Sequence, residues 1–210
     1  SVVLSTSPEQ FLQIDNLGTV VSRPIKGTSP RYSDPKRDQD SFKNLEKSEK
    51  DRSENLMIVD LMRHDFSRSC VEGSVKVNDL FKVDSFSHIH HMASTVIGNK
   101  KDSISTIDVV KQAFPPGSMT GAPKIKAMEL CSKFEQLKRG VYSGAIGYFL
   151  GDGSCDLSVV IRTLIIQNNK FEFQVGGGIV YDSEPEKELK ETFDKAKGIY
   201  QGLSSCNFDK

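Results

Sequence analysis

The sequence predicts an α+β fold in which antiparallel β-sheets, stacked as a sandwich, are flanked by helices. Three β-rich segments lie in the last third of the chain, at residues 142–150, 156–167 and 170–175. The turn sequences Gly151-Asp152-Gly153 and Asn168-Asn169 join these segments, as is typical of antiparallel hairpins. Helical segments are interspersed with the strands, and we expect residues 1–210 to form one domain.

The first 52 residues divide into a strand-rich part and a charged part. Residues 1–25 contain three predicted short strands, at 2–4, 11–14 and 20–21. Residues 32–52 are highly charged and contain few apolar side chains, so this stretch predicts a mobile surface insertion.

Apolar residues at helical spacing predict helices at residues 53–66, 103–114 and 122–139, with one or two strands at 74–89 between the first two helices. Ser53 is placed to cap the first of these helices, and Pro123 is tolerated in the first turn of the third. A last helix is predicted to begin at Ser183, which forms a capping box with Glu186, and to run to about residue 203.

Composition excludes several classes of protein. The 28 Lys and Arg residues balance the 28 Asp and Glu residues, so bulk charge does not favour nucleic-acid or membrane-surface binding. No apolar run is long enough to span a membrane, and the four cysteines are widely spaced, as expected of reduced thiols in a cytoplasmic protein. The chain opens on Ser1 within a strand-like run, which suggests part of a longer protein.

The run RPIKGTSPR, residues 23–31, places a lysine inside a proline-bracketed turn. Pro24 has a restricted φ angle, Pro30 restricts the residue before it, and Gly27 permits a tight turn. A lysine held in one place is a candidate nucleophile once it loses its proton. The alternative is a surface loop with a chance Lys26.

Three glutamates form a candidate magnesium site. Glu188 and Glu191 are three residues apart on the last predicted helix, so their carboxylates share one face, and Glu54 lies on a second helix. Carboxylates from two helices can hold Mg²⁺ together with water and substrate oxygens. The alternative is a solvated acidic surface.

Other segments could bind an anion. The backbone N–H groups of Gly176, Gly177 and Gly178 are left uncovered, and Arg162 interrupts an apolar run. The segment PPGSMTGAPK, residues 115–124, carries small and hydroxyl residues to a predicted helix start. The alternatives are a glycine-rich turn and a structural salt bridge.

Taken together, these segments resemble the chorismate-utilising enzymes, a family that includes anthranilate, aminodeoxychorismate, isochorismate and salicylate synthases. The matching stretches occur in the family's order and span nearly the whole chain: SPEQFL, RPIKGTSPR, ENLMIVDLMRHD, HHMASTV, PPGSMTGAPK, YSGAIGY, VVIRT, GGGIV and ELKETFDKA. The resemblance implies the C-terminal portion of the anthranilate synthase-like, chorismate-binding fold. It also implies that another half of the synthase and an ammonia-supplying glutaminase lie outside this sequence.

Within the family, a lysine in PIKGT is similar to the aminodeoxychorismate synthases, whereas anthranilate synthases usually have alanine there. The resemblance implies that Lys26 attacks carbon C2 of chorismate while the C4 hydroxyl leaves, with Glu9 as general acid. Ammonia, supplied from glutamine by an amidotransferase subunit or fused domain, would then add at C4. The product serves p-aminobenzoate and folate synthesis.

The resemblance assigns the remaining site residues as follows. Glu54, Glu188 and Glu191 would hold Mg²⁺, and His91 would act as an acid, base or orienting group. The substrate would be bound by Arg162, Ser118, Gly176, Gly177, Gly178, Thr28 and Lys195.

Two other functions stay open at this point. One is an anthranilate synthase large component, which the lysine at position 26 disfavours. The other is a non-catalytic domain that binds chorismate-like anions; it would need neither the acid nor the nucleophile. The sequence also departs from the family in RHDFSR, where the commoner form is RNDLGR, and in PPGSM, where it is PGGSV.

Overall fold

A computed structural model describes residues 1–205 and shows two antiparallel sheets with six helices. The strands are β1 (Val2–Ser5), β2 (Gln10–Ile14), β3 (Thr19–Arg23), β4 (Ile25–Pro30), β5 (Lys76–Ser85), β6 (Ile89–Asn99), β7 (Ala145–Phe149), β8 (Cys155–Val159), β9 (Thr163–Gln167) and β10 (Lys170–Glu172). The helices are α1 (Pro35–Lys47), α2 (Glu49–Ser69), α3 (Thr106–Ala113), α4 (Gly117–Thr120), α5 (Lys124–Phe134) and α6 (Pro185–Ser205). The α+β class and the antiparallel pairing predicted from the sequence are confirmed.

The larger sheet has seven strands, ordered β4-β6-β3-β2-β8-β7, with β5 also paired to β6. Strands β3 and β4 pair with successive parts of β6, so they form one long strand that is interrupted at Pro24. The smaller sheet has the order β1-β9-β10. Strand β4 therefore lies at an edge, with β6 as its only strand neighbour within residues 1–205.

The hydrophobic core lies between the larger sheet and helices α2 and α3. Helix α2 contributes Ile58, Val59, Met62 and Phe66, each of which is buried. Strands β2, β3, β6 and β8 supply the opposing apolar side chains. This packing places α2 against β4 and β6, the elements that carry several of the candidate site residues.

The charged stretch at 32–52 is not a mobile insertion, contrary to the sequence prediction. It contains α1 and the first turn of α2. Asp34 caps α1 by accepting a hydrogen bond from the N–H of Arg37 at 2.8 Å, and Pro35 occupies the first turn. Leu45 is the one buried residue of α1. The helix therefore lacks the repeated apolar residues by which a helix is predicted from sequence.

Strand β6 extends ten residues beyond the predicted strand end at residue 89 and pairs with three strands. Its sequence begins with two histidines after Ile89 and ends in Gly98-Asn99, which is weak β-forming composition. Gly98 is required because a Cβ there would lie 2.8 Å from the Sγ atom of Cys70. The strand is thus specified by tertiary packing.

Three predicted boundaries were wrong. Helix α2 begins at Glu49, with Ser48 rather than Ser53 as its cap. Helix α5 ends at Phe134, and the guanidinium of Arg139 folds back to donate to the carbonyl of Met119 at 2.9 Å. The segment predicted as one strand at 156–167 is two strands, β8 and β9, in different sheets.

The predicted capping box at the last helix is also wrong. Helix α6 begins at Pro185, and the hydroxyl of Ser183 accepts from the N–H of Val180 and donates to Glu188, both at 3.0 Å. None of the helices within residues 1–205 combines the length and the apolar character needed to cross a membrane.

Candidate active site

Lys26 lies in a β-bulge on the edge strand β4. The pairs Ile25–Ala93 and Thr28–His91 flank it, so two residues of β4, Lys26 and Gly27, oppose the single residue Met92. Gly27 has a φ of +90°, which a residue with a Cβ adopts at a cost, and α2 packs so closely that such a Cβ would lie 2.9 Å from Asp51. The bulge re-aims the Lys26 side chain away from the regular ladder.

The Lys26 ammonium faces the glycine-rich loop and two carboxylates. Its Nζ atom is 3.9 Å from the position that a Cβ on Gly178 would occupy. The positive charge of Lys26 also acts on the carboxyl groups of Glu9 and Glu191. Residues from β4, the approach to β2, and α6 therefore meet around this lysine.

Glu9 directly precedes β2 and is only 8% exposed. Its carbonyl accepts from the N–H of Val159 at 3.0 Å, which ties the residue to β8. Burial raises the pKa of the Glu9 carboxyl above its usual value, although a hydrogen bond from Ser118 and the charge of Lys26 act in the opposite direction. A carboxyl group in this setting keeps its proton to higher pH and can donate it.

Ser118 reaches Glu9 because the short helix α4 packs tightly on α2. A Cβ on Gly117, the first residue of α4, would lie 2.5 Å from a methyl carbon of Leu61. Only glycine allows this approach, which places the neighbouring hydroxyl beside the buried carboxyl. The 115–124 segment, which the sequence suggests as a possible anion-binding segment, thus comes next to Glu9 through Ser118.

His91 and Arg162 lie close to one another. Burial lowers the pKa of the His91 imidazole, and the positive charge of Arg162 lowers it further. The Phe86 ring packs edge-on against His91, with ring centroids 5.6 Å apart. These contacts favour a neutral imidazole at neutral pH, which can accept or donate a hydrogen bond.

Arg162 is not in the middle of a strand, contrary to the sequence prediction. It occupies the break between β8 and β9 with a φ of +50°, so the chain changes sheets at this residue. Its guanidinium donates to the carbonyl of Lys195 on α6. Since no salt bridge formed within residues 1–205 includes Arg162, the guanidinium keeps donors for an anionic ligand.

The glycine-rich loop at 176–178 is held against α6. The ammonium of Lys195 donates to the carbonyl of Gly176 at 3.0 Å and pairs with Glu191 at 2.6 Å. A Cβ on Gly177 would lie 2.9 Å from an oxygen of Glu188, and one on Gly176 would lie 3.2 Å from the Tyr142 hydroxyl. Glycines are therefore needed for close packing as well as for exposing backbone N–H groups.

Two further residues lie near the site, Thr28 on β4 and Tyr142 beside the glycine-rich loop. Thr28, predicted to bind substrate, is exposed and lines a cleft of about 440 Å³ between β4 and α1. Tyr142 opens the YSGAIGY stretch, for which the sequence predicts no role; it contacts the glycine-rich loop and lies near Arg162.

The three candidate metal ligands are partnered by protein groups. Glu54 lies 3.9 Å from the ammonium of Lys50, whose charge also acts on Glu191, and the Lys195 hydrogen bond lowers the pKa of Glu191. Within residues 1–205, no group of three or more His, Cys, Asp or Glu side chains is arranged to hold a metal ion. Carboxylate oxygens are ligands that Mg²⁺ prefers, and the Lys50 ammonium pairs with Glu54 and also acts on Glu191, so these two carboxylates are candidates to share a cation.

Residues 1–201 match the model of the chorismate binding enzyme family. Aminodeoxychorismate synthase component 1 of Salmonella typhimurium is 47% identical over 203 residues, which cover 97% of this chain and 44% of that protein. The Escherichia coli protein of the same name is 47% identical over 201 residues, covering 96% of this chain and 44% of its own length. Anthranilate synthase component 1 of Streptomyces coelicolor is 40% identical over 197 residues, which cover 94% of this chain and 38% of that protein.

The fold matches that of solved structures. The crystal structure of anthranilate synthase component I from Streptococcus pneumoniae superposes with a TM-score of 0.85 and 37% identity, covering 94% of this chain and 43% of that chain. The chain thus spans less than half the length of each of these relatives.

Proposed function

Because this chain belongs to the chorismate binding enzyme family, we propose that it carries the catalytic centre of an aminodeoxychorismate synthase. The single observation that carries the proposal is the placement of Lys26 in a bulge between the buried acid Glu9 and the glycine-rich loop. The relatives that are 47% identical and bear that name support the same reaction.

In the proposed reaction, a hydroxyl group on chorismate is exchanged for an amino group, so the enzyme is a transferase. The Lys26 nitrogen, once deprotonated, bonds to ring carbon C2, the two conjugated ring double bonds shift, and the C4–O bond breaks. Glu9 gives its proton to the departing hydroxyl, which leaves as water. Ammonia then bonds to C4, the double bonds return, and the C2–N bond to Lys26 breaks.

The substrate is a small dianion, so the site must supply positive charge and hydrogen-bond donors. Arg162 and the N–H groups of Gly176, Gly177 and Gly178 are proposed to bind carboxylate oxygens, with Ser118 and Lys195 nearby. Thr28 is proposed to contribute on the β4 side, and His91 to orient or protonate a substrate oxygen. Tyr142 borders the same loop and adds a hydroxyl.

Glu54, Glu188 and Glu191 are the residues that would hold Mg²⁺. When bound, the metal would neutralise substrate carboxylate charge.

A partner is proposed for the ammonia supply. The Salmonella and E. coli relatives are named as component 1, which implies a second component. A glutamine amidotransferase, as separate subunit or fused domain, would release ammonia from glutamine for this site.

Product analysis tests the proposal. The protein is incubated with chorismate, Mg²⁺ and ammonium, and products are separated and identified by mass. We expect aminodeoxychorismate, and we expect Lys26→Ala to abolish its formation while chorismate binding persists. Anthranilate as the product would instead establish the second candidate reaction, and wild-type turnover by Lys26→Ala would exclude the covalent step.

A further inference from the structure

Two fully buried polar side chains, Asn55 and Ser94, lie where α2 crosses β6, and each is 0% exposed. The Ser94 hydroxyl donates to the Asn55 side-chain oxygen. The Asn55 amide group donates to the carbonyl of Pro24 at 3.5 Å, and the backbone N–H of Ser94 donates to the same carbonyl at 3.2 Å. The two side chains therefore bond to each other, and the Asn55 side chain and the Ser94 backbone both donate to the residue that directly precedes β4.

Ser94 lies at the point where both neighbours of β6 leave regular pairing. On one side, Pro24 separates β3 from β4. On the other side, β5 bulges between Asp79 and Lys82, and Phe81 in that bulge has a φ of +58°. The Ser94 hydroxyl accepts a hydrogen bond from the N–H of Phe81 at 3.0 Å. This side chain therefore gives a partner to a backbone N–H in the irregular part of β5.

The Pro24 carbonyl precedes the candidate nucleophile Lys26 by two residues. Proline lacks an N–H group, so the backbone of Pro24 is held to β6 and α2 through its carbonyl, which accepts from Ser94 and Asn55. Asn55 in turn follows Glu54, a proposed metal ligand, directly in the chain. The same buried pair therefore links the strand that carries Lys26 to the helix that carries Glu54.

We propose that Asn55 and Ser94 are positioning residues, which set where Lys26 lies relative to α2 without touching the substrate. This inference rests on the proposed function for its catalytic consequence. Loss of the Ser94 hydroxyl leaves the Asn55 oxygen and the Phe81 N–H without their partner, and the start of β4 shifts to relieve this. A displacement of about 1 Å at a reacting group can slow a reaction about 100-fold.

The test compares Ser94→Ala with Ser69→Ala. Ser69 is buried, as Ser94 is, but it lies at the C-terminal end of α2, far along that helix from Asn55. Its hydroxyl donates to the side chain of Gln112 at 2.8 Å. Both variants lose one buried hydroxyl. We expect Ser94→Ala to lower kcat at least tenfold, with KM for chorismate within twofold of wild type, and Ser69→Ala to leave kcat within twofold.

Chemical labelling of Lys26 gives a second readout that needs no turnover. The rate of acetylation by acetic anhydride is followed at each lysine by peptide mass spectrometry. We expect the Lys26 rate to change at least threefold in Ser94→Ala, and the rates of Lys111 and Lys126 to stay unchanged. If wild type forms no product, the proposed function fails, and labelling alone decides whether the pair positions Lys26.

Equal kcat and equal Lys26 labelling in the two variants would overturn the inference, as would a change in KM alone. If Ser94→Ala does not fold, Ser94→Cys replaces it, because a thiol fills the same site but is too weak a donor and acceptor to replace the hydroxyl in its bonds to Asn55 and Phe81. The same thresholds then apply to Ser94→Cys, with a wild-type result again counting against a positioning role.

Discussion

At the residue scale, burial changes the pKa of the candidate acid Glu9. Its side chain has lost most of its contact with water, and this raises its pKa despite the nearby Lys26 ammonium. The motif SPEQFL could suggest an acid here by resemblance. It could not show the burial of Glu9 or the hydrogen bond from Ser118, whose helix α4 packs on α2 through Gly117.

Glu9→Gln is expected to lower the amination rate by about 10²- to 10⁴-fold, because an amide cannot give a proton to the leaving hydroxyl. Product formation under saturating chorismate and ammonium is the measurement. The matched control is Gln10→Glu, which exchanges the same two side-chain types at the neighbouring, partly exposed position and should keep most of the rate. A Glu9→Gln variant with the wild-type rate would remove Glu9 from the mechanism.

The pH dependence of stability follows from the same shift. The native-state pKa of Glu9 is raised above its unfolded value, so the native state is favoured while Glu9 is protonated. That contribution is complete below the unfolded pKa of about 4.3 and is lost as the pH rises through the native value. Thermal unfolding should therefore show a higher Tm for Glu9→Gln than for wild type at pH 8, and no such gain at pH 4.

At the scale of elements, the hairpins and α2 could be predicted because their signals are local. Turn residues flank β7 and β8, and apolar spacing marks the buried face of α2. Helix α1 and strand β6 could not be predicted, since each depends on partners distant in sequence. The prediction that Arg162 lies in the middle of a strand was wrong for the same reason. The chain changes sheets between β8 and β9, and the local sequence there shows no turn residues that would predict the break.

The link between α2 and α5 is a buried ion pair. The ammonium of Lys124 lies 2.6 Å from Asp65 and donates to the carbonyl of Ala113, also at 2.6 Å. Burial raises the pKa of Asp65, although the Lys124 hydrogen bond and charge oppose this. This pair gives Lys124 a structural role and explains the aspartate of RHDFSR; nothing in the structure explains His64.

Asp65→Ala is expected to cost about 3–5 kcal/mol of unfolding free energy, because it leaves a buried ammonium without its partner. Urea denaturation is the measurement. The control is Glu129→Ala, which breaks the exposed pair between Lys126 and Glu129 and should cost less than about 1 kcal/mol. Equal losses in the two variants would contradict a structural role for the buried pair.

At the scale of the whole molecule, helix α5 and strand β7 expose many apolar side chains. None of the residues of α5 is buried, and Ile125 and Phe134 are 76% and 69% exposed. Strand β7 exposes Tyr148 and Phe149 as well. Exposed apolar side chains in this number are typical of an interaction site or of an aggregation risk.

A polypeptide of these 210 residues is therefore expected to enhance the fluorescence of the dye ANS and to self-associate with increasing concentration. Sedimentation velocity and dye fluorescence are the measurements. The double variant Ile125→Lys, Phe134→Glu should reduce both effects and leave the Tm unchanged, because neither side chain is in the core. Absence of dye binding by the unmodified polypeptide would contradict the prediction.

The edge position of Lys26 has an evolutionary consequence. The β-bulge and the buried Pro24 shape the backbone around Lys26, and the hydrophobic core does not include its side chain. An exchange between lysine and the alanine usual in anthranilate synthases would thus alter chemistry without refolding the domain. Under the proposed function, a single inherited substitution at this position would change the product while the ancestral framework stays intact.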